Sequence, residues 1–151
     1  MDIAKPVSTP LCASTPLNLQ GGSALDNPIE YRTLVGSLQY LALTRPDVSF
    51  SVTKLSQFMH QPTYDHWSAA KRVLRYLAGT ANKGIFLRRD NKLNLHAFSD
   101  ADWARNKDDY TSTSAHIVFL GQHPVSWSSK KLKGVARSST KVEYRSVATT
   151  A

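Results

Sequence analysis

The chain has 151 residues, a hydrophobic share of 41%, a charged share of 20% and a formal net charge of +8. That is the size of one ordinary domain or two small ones, and the charge favours a polyanion as partner. One cysteine, Cys12, excludes an internal disulfide framework; with neither a leader pattern nor roughly 18 consecutive apolar residues, a soluble intracellular protein without a membrane partner is expected.

The charge is unevenly spread: residues 1–29 carry one base against two acids, 30–90 nine against four, and 91–151 nine against five. Residues 1–25 hold prolines, a Gly-Gly pair and scattered Ser/Thr without a period, and read as an extended or disordered lead-in. Three helical segments are expected over 26–90. The first opens on Asp26 or Asn27 as cap, with Pro28 in the first turn and Leu34, Leu38 and Leu41 at helical spacing, and Pro46 stops it. Asp47 caps the second, "VSFSVTKLSQFMH", which Pro62 ends. Thr63 starts the third, "YDHWSAAKRVLRYLAGT", with an apolar stripe of Trp67, Ala70, Leu74 and Leu77 and a terminal glycine at Gly79.

The period then changes from helical to alternating. "GIFLRR" and "LNLHAFSDADW" read as strands around the turn "DNK", and "STSAHIVFLG" and "PVSWSSK" as two more joined by "GQH". The closing "TKVEYRSVATTA" is helical again, with Tyr144, Val147, Ala148 and Ala151 at i, i+3, i+4 and i+7. The expected class is thus α/β in the α+β sense: helices, about four strands, then one helix.

Two acids draw attention. Asp100 in "HAFSDADWA" shares a strand face with Asp102, either as a solvated strand end or as a divalent-cation ligand, since hard cations want carboxylate oxygens. Glu143 lies near the border of the last helix's apolar stripe and is the natural second ligand. It equally completes a capping box with Thr140, and a carboxylate committed to a cap is poorly placed for a metal. Asp108 and Asp109 read as solvated acids of a polar connection, and His66 and His116 as structural. Lys71, Arg72 and Arg75 on the third helix, with Lys130, Lys131 and Lys133 after a strand, form either solvated faces or phosphate contacts to nucleic acid.

The stretches "KPVSTP", "YRTLVGSLQYLALTRPDVSFSV", "LSQFMHQPT", "HWSAAKRVLRYLAGT", "AFSDADWA", "STSAHIVFLG", "VSWSSKK" and "ARSSTKVEY", in this order, resemble the Pol polyprotein of copia-type LTR retrotransposons. The resemblance implies the end of a reverse transcriptase region, with residues 26–90 as a helical thumb- or connection-like segment. It implies that 91–151 begin a ribonuclease H-like domain and that the partner is an RNA–DNA hybrid or duplex, in cytoplasm or nucleus. Asp100 then matches the family's first ribonuclease H carboxylate and Glu143 its second, in a site that uses magnesium. Lys141 stands where the family usually has a glutamate, and Ala115 replaces a common glycine. The polymerase palm and the later acids of the ribonuclease H site are not among these residues, so the implied enzyme is expected to be incomplete and inactive in this chain. A non-catalytic, basic nucleic-acid-binding module is the alternative.

Overall fold

A computed structural model describes residues 5–12 and 16–151. It is α+β, with two compact units, Met1–Gly84 and Ile85–Ala151. The described residues of the first unit hold three helices, α1 Pro28–Leu41, α2 Pro46–Ser56 and α3 Tyr64–Gly79. The second holds three strands, β1 Leu95–Asp102, β2 Thr113–Leu120 and β3 His123–Lys131, followed by α4 Ser139–Thr150.

The starts of the helices of the first unit follow from local chemistry. The Asn27 side chain accepts the Ile29 N–H at 3.2 Å, with Pro28 inside the first turn of α1. Pro46 does not merely end α1, as the sequence suggests; it opens α2, where a missing N–H costs nothing. Asp47 therefore sits inside the first turn rather than at the cap, and the helix ends at Ser56, short of the expected His60. Arg45 clamps Asp47 with two hydrogen bonds of 2.7 and 2.9 Å and reaches the Thr80 carbonyl and hydroxyl. Tyr76 adds a bond to the same carboxylate. The Arg45 guanidinium holds the Asp47 carboxyl below its usual range, against the opposing effect of burial.

The core follows from i, i+4, i+7 spacing. Tyr31, Val35 and Leu38 of α1 meet Val48, Val52 and Leu55 of α2 and Ala70 and Val73 of α3, all buried. The Tyr31 hydroxyl donates to the Leu55 carbonyl at 2.7 Å, and burial pushes its pKa up. On α3 the fully buried line is His66, Ala70 and Val73, while Trp67, Leu74 and Leu77 of the expected stripe lie half-buried against the core. His66 stacks on Phe58 with ring centroids 3.9 Å apart, and its Nδ1 accepts the Thr63 N–H, filling the capping-box position that a Glu or Gln usually takes.

Residues 1–4 and 13–15 of the expected lead-in lie outside the described residues. Its described part forms no helix, yet it is fastened to α3. Arg75 Nε donates to the Lys5 carbonyl at 2.8 Å, Arg72 Nη2 to Thr9 Oγ1 at 2.9 Å, and Ala24 bridges to Thr63. Gly79 closes α3 against this segment, since a Cβ there would come within 2.8 Å of the Pro6 side chain.

In the second unit the strands run antiparallel in the order β1-β2-β3. "GIFLRR", expected as a fourth strand, forms none among the described residues: Phe86 and Leu87 are exposed, with no partner strand. His123, expected in the turn, instead opens β3, pairing with Leu120. The loop left between them is Gly121-Gln122, and Gly121 has φ +60°. A Cβ there would collide with the Lys92 carbonyl and the Asn91 side chain. Asn91 itself ties the hairpin, donating to the Leu120 carbonyl at 2.6 Å and accepting the Gln122 N–H at 2.8 Å. We expect Gly121→Ala to lower the stability of this unit by at least about 1–2 kcal/mol, the cost of left-handed backbone for an L-residue. A urea titration read on Trp103 and Trp127 fluorescence measures it, and an unchanged midpoint would refute the collision.

Candidate functional site

β1 presents Asp100 opposite Ala115 and Asp102 opposite Thr113. Glu143 lies on α4, which packs on β1 and β2. What joins the two elements is a relay of hydroxyls. Ser146, 2% exposed, donates to the Asp100 main-chain carbonyl at 3.1 Å and accepts from the Ser114 hydroxyl at 2.8 Å. A second tie precedes the helix, where Trp103 Nε1 donates to the Ala136 carbonyl at 2.8 Å.

The cap of α4 differs from expectation. Ser138, not Thr140, is the N-cap, and its hydroxyl accepts the Lys141 N–H at 3.3 Å. With the cap two residues earlier, Glu143 is no longer at the third helical position, so the capping box that competed for its carboxylate does not form. The apolar stripe is also turned. Val142 and Ser146 are buried, whereas Tyr144 is 73% exposed and Val147 57%. A serine forms half of the docking line because a strand carbonyl and a hydroxyl lie beneath it and its own hydroxyl bonds to both.

The carboxylates themselves are open. Asp100 is exposed and its Oδ1 accepts the N–H of Ala101 at 2.9 Å. Glu143 is exposed and makes no side-chain hydrogen bond or ion pair among the described residues. Asp102 pairs with Arg105 at 3.1 Å. Among the described residues no group of three or more His, Cys, Asp or Glu side chains converges as a metal site.

The basic candidates divide. Arg72 and Arg75 hold the lead-in, as above, rather than standing free on the surface. Lys71 is exposed, with Nζ 5.8 Å from the Trp67 ring centroid. Lys131 is bound to Asp109 at 2.6 Å. Lys130 and Lys133 are exposed. Asp109, expected to be solvated, is thus an ion-pair partner that also accepts the Thr111 N–H and hydroxyl. Burial opposes its ionisation, but the bonds from Lys131 and Thr111 outweigh that and hold its pKa at about 2.

The chain is 65% identical over 147 residues to a retrovirus-related Pol polyprotein from transposon RE2 of Arabidopsis thaliana, a match covering 97% of this chain. It belongs to the copia-type retrotransposon Pol family. The chain spans about 10% of the length of that Pol polyprotein. A Pol polyprotein from transposon TNT 1-94 of Nicotiana tabacum is 35% identical over 154 residues, covering 95% of this chain and 11% of the polyprotein. The chain is also 44% identical over 117 residues to secreted RxLR effector protein 161 of Plasmopara viticola, 77% of this chain and 82% of that protein. No family model matches, and no solved structure matches.

Two outcomes test the geometry of this Pol segment. Ser146→Ala should cost about 1–3 kcal/mol by removing its bonds to the Asp100 carbonyl and the Ser114 hydroxyl, and amide exchange in α4 should rise more than in β2 or β3. Uniform exchange across the unit would refute the docking role. Asp109→Asn should lower stability by no more than about 1 kcal/mol near neutral pH, because the pair is partly in solvent. A carboxyl depressed in the folded state stabilises fully above the ordinary carboxylate range and loses that contribution as pH falls through its folded value. Thermal melts of the two proteins should therefore converge as the pH approaches about 2, and a constant gap would refute the assignment.

Proposed function

We propose that the chain is the part of a copia-type Pol polyprotein where the end of the reverse transcriptase region passes into the start of the ribonuclease H domain. On this reading the helical first unit is thumb- or connection-like, and the β1-β2-β3-α4 unit is the opening of a ribonuclease H-like fold. The ancestral roles are RNA-directed DNA synthesis and RNA–DNA hybrid cleavage. The observation that carries the reading is the docking of α4 on the strand that bears Asp100, which puts the two family-matched carboxylates on elements joined by one buried relay.

Asp100 and Glu143 are the residues that would hold magnesium. The donor set does not fit the two-cation site of the family. Two carboxylates bring two formal negative charges against the four positive charges of two divalent ions, magnesium gives up its waters reluctantly, and no third ligating side chain joins the pair among the described residues. We therefore derive no metal-dependent step for this chain, and read it as inactive in hybrid cleavage by itself.

A second reading, a non-catalytic nucleic-acid-binding module, is favoured by the net charge of +8 and by the exposed Lys71, Lys130 and Lys133. The two readings share one test. With a labelled RNA–DNA hybrid and magnesium, the purified chain should release no more product than a magnesium-free control. Cutting that requires magnesium and disappears in Asp100→Asn would overturn the inactive assignment.

A further inference from the structure

The lead-in crosses α3 in the direction opposite to the helix, with Lys5 beside Arg75, Thr9 beside Arg72 and Asn18 beside His66. Arg72 and Arg75 stand at i and i+3 and share one face of α3. Their guanidinium groups meet the segment differently. Arg75 Nε has its acceptor in the Lys5 carbonyl at 2.8 Å, whereas Arg72 uses Nη2 for Thr9 Oγ1 at 2.9 Å. The Nε of Arg72 is buried and has no hydrogen-bond partner among the described residues.

The Nε–H and one Nη2–H of a guanidinium point the same way, a fork that takes two oxygens of one anion. Arg45 shows the complete case in the same unit, its Nε and Nη2 holding the two carboxylate oxygens of Asp47 at 2.9 and 2.7 Å. At Arg72 a single hydroxyl oxygen stands where two acceptors belong, and a buried donor without an acceptor is costly. Being buried, Nε is closed to an anion arriving from solvent, but an oxygen added to Thr9 is carried to it. Thr9 itself is exposed, lies in a described segment that forms no helix or strand, and is followed by Pro10.

We propose that Thr9 is a phosphorylation site for a proline-directed Ser/Thr kinase and that the Arg72 fork is the receptor of its phosphate. Threonine directly before proline is the acceptor pattern of that kinase class. The Thr9 oxygen attacks the γ-phosphorus of ATP, the Oγ1–P bond forms as the bond to the ADP oxygen breaks, and the hydroxyl proton passes to the base of the kinase. The phosphothreonine carries a charge of about −1.5 to −2 and three acceptor oxygens. One of these satisfies Nε and another takes Nη2, with Arg75 as a second cation one turn along the helix. The modification thus pins the lead-in across α3.

The experiment treats the full chain with ATP, magnesium and a purified proline-directed kinase, locates phosphate by mass spectrometry and follows it by phosphorus NMR. Phosphate is expected on Thr9. Its second ionisation should lie below the ordinary value of about pH 6, because the guanidinium favours the dianion. It should return toward that value in Arg72→Gln, and only part of the way in Arg72→Lys, which keeps the charge without the fork. Amide exchange over residues 5–12 should slow by about tenfold on phosphorylation, the factor that one charge-assisted bond gives, and should not slow in Arg72→Gln. Matching circular dichroism melts of the unmodified chains identify an effect at the fork and not on folding, and Arg72→Lys carries the comparison if Arg72→Gln does not fold. No phosphate on Thr9, while a control peptide with one Thr-Pro is fully modified, overturns the site. Phosphate on Thr9 with the same ionisation and the same exchange in the native chain and the Arg72 variants overturns the receptor.

Discussion

One buried hydroxyl organises the second unit. Ser146 accepts a hydrogen bond from the Ser114 hydroxyl and donates one to the Asp100 carbonyl, so a single side chain joins α4 to β1 and β2. An apolar residue there would lose both of these bonds, and a longer polar one would hold the helix off the sheet. Everything proposed for the site depends on this docking. It fixes which flank of α4 carries Glu143.

The same docking separates main-chain and side-chain roles at Asp100. Its carbonyl serves the fold, while its carboxylate stays exposed with one local bond to the next N–H. Glu143, released from the expected cap by Ser138, is likewise exposed. Two exposed carboxylates are too few to neutralise two divalent cations. The cations are sorted by the same economy of partners: those near a carboxylate or a carbonyl hold loops and the lead-in, and those without one face solvent.

Much of this was legible in the sequence wherever a local rule acts alone. The Asn27-Pro28 start, β2, the β2-β3 hairpin and the final helix follow from caps, alternation and glycine. What local rules cannot read is which of two competing partners a group takes. "GIFLRR" alternates like a strand but has no neighbour to pair with. Tyr144 and Val147 form the more apolar stripe of α4, yet the sheet offers a carbonyl and a hydroxyl, and the helix turns its serine toward them. Arg72 and Arg75 look like a surface cluster until the lead-in is laid across them. His66 in place of a capping glutamate shows the same limit, because its ring is chosen both for the Thr63 N–H and for stacking on Phe58. For the candidate site, spacing and resemblance single out Asp100 and Glu143 as candidates, and neither gave any signal for Ser146 beyond its i+4 relation to Val142.

The central claim is that docking brings Asp100 and Glu143 onto joined elements without completing a metal site. Titration of the native chain with magnesium through the millimolar range, followed by NMR of the Asp100 and Glu143 backbone and side-chain resonances, addresses it directly. The account predicts small, non-saturating shifts that Asp100→Asn and Glu143→Gln leave nearly unchanged. A saturating transition shared by both residues and lost in either variant would contradict it.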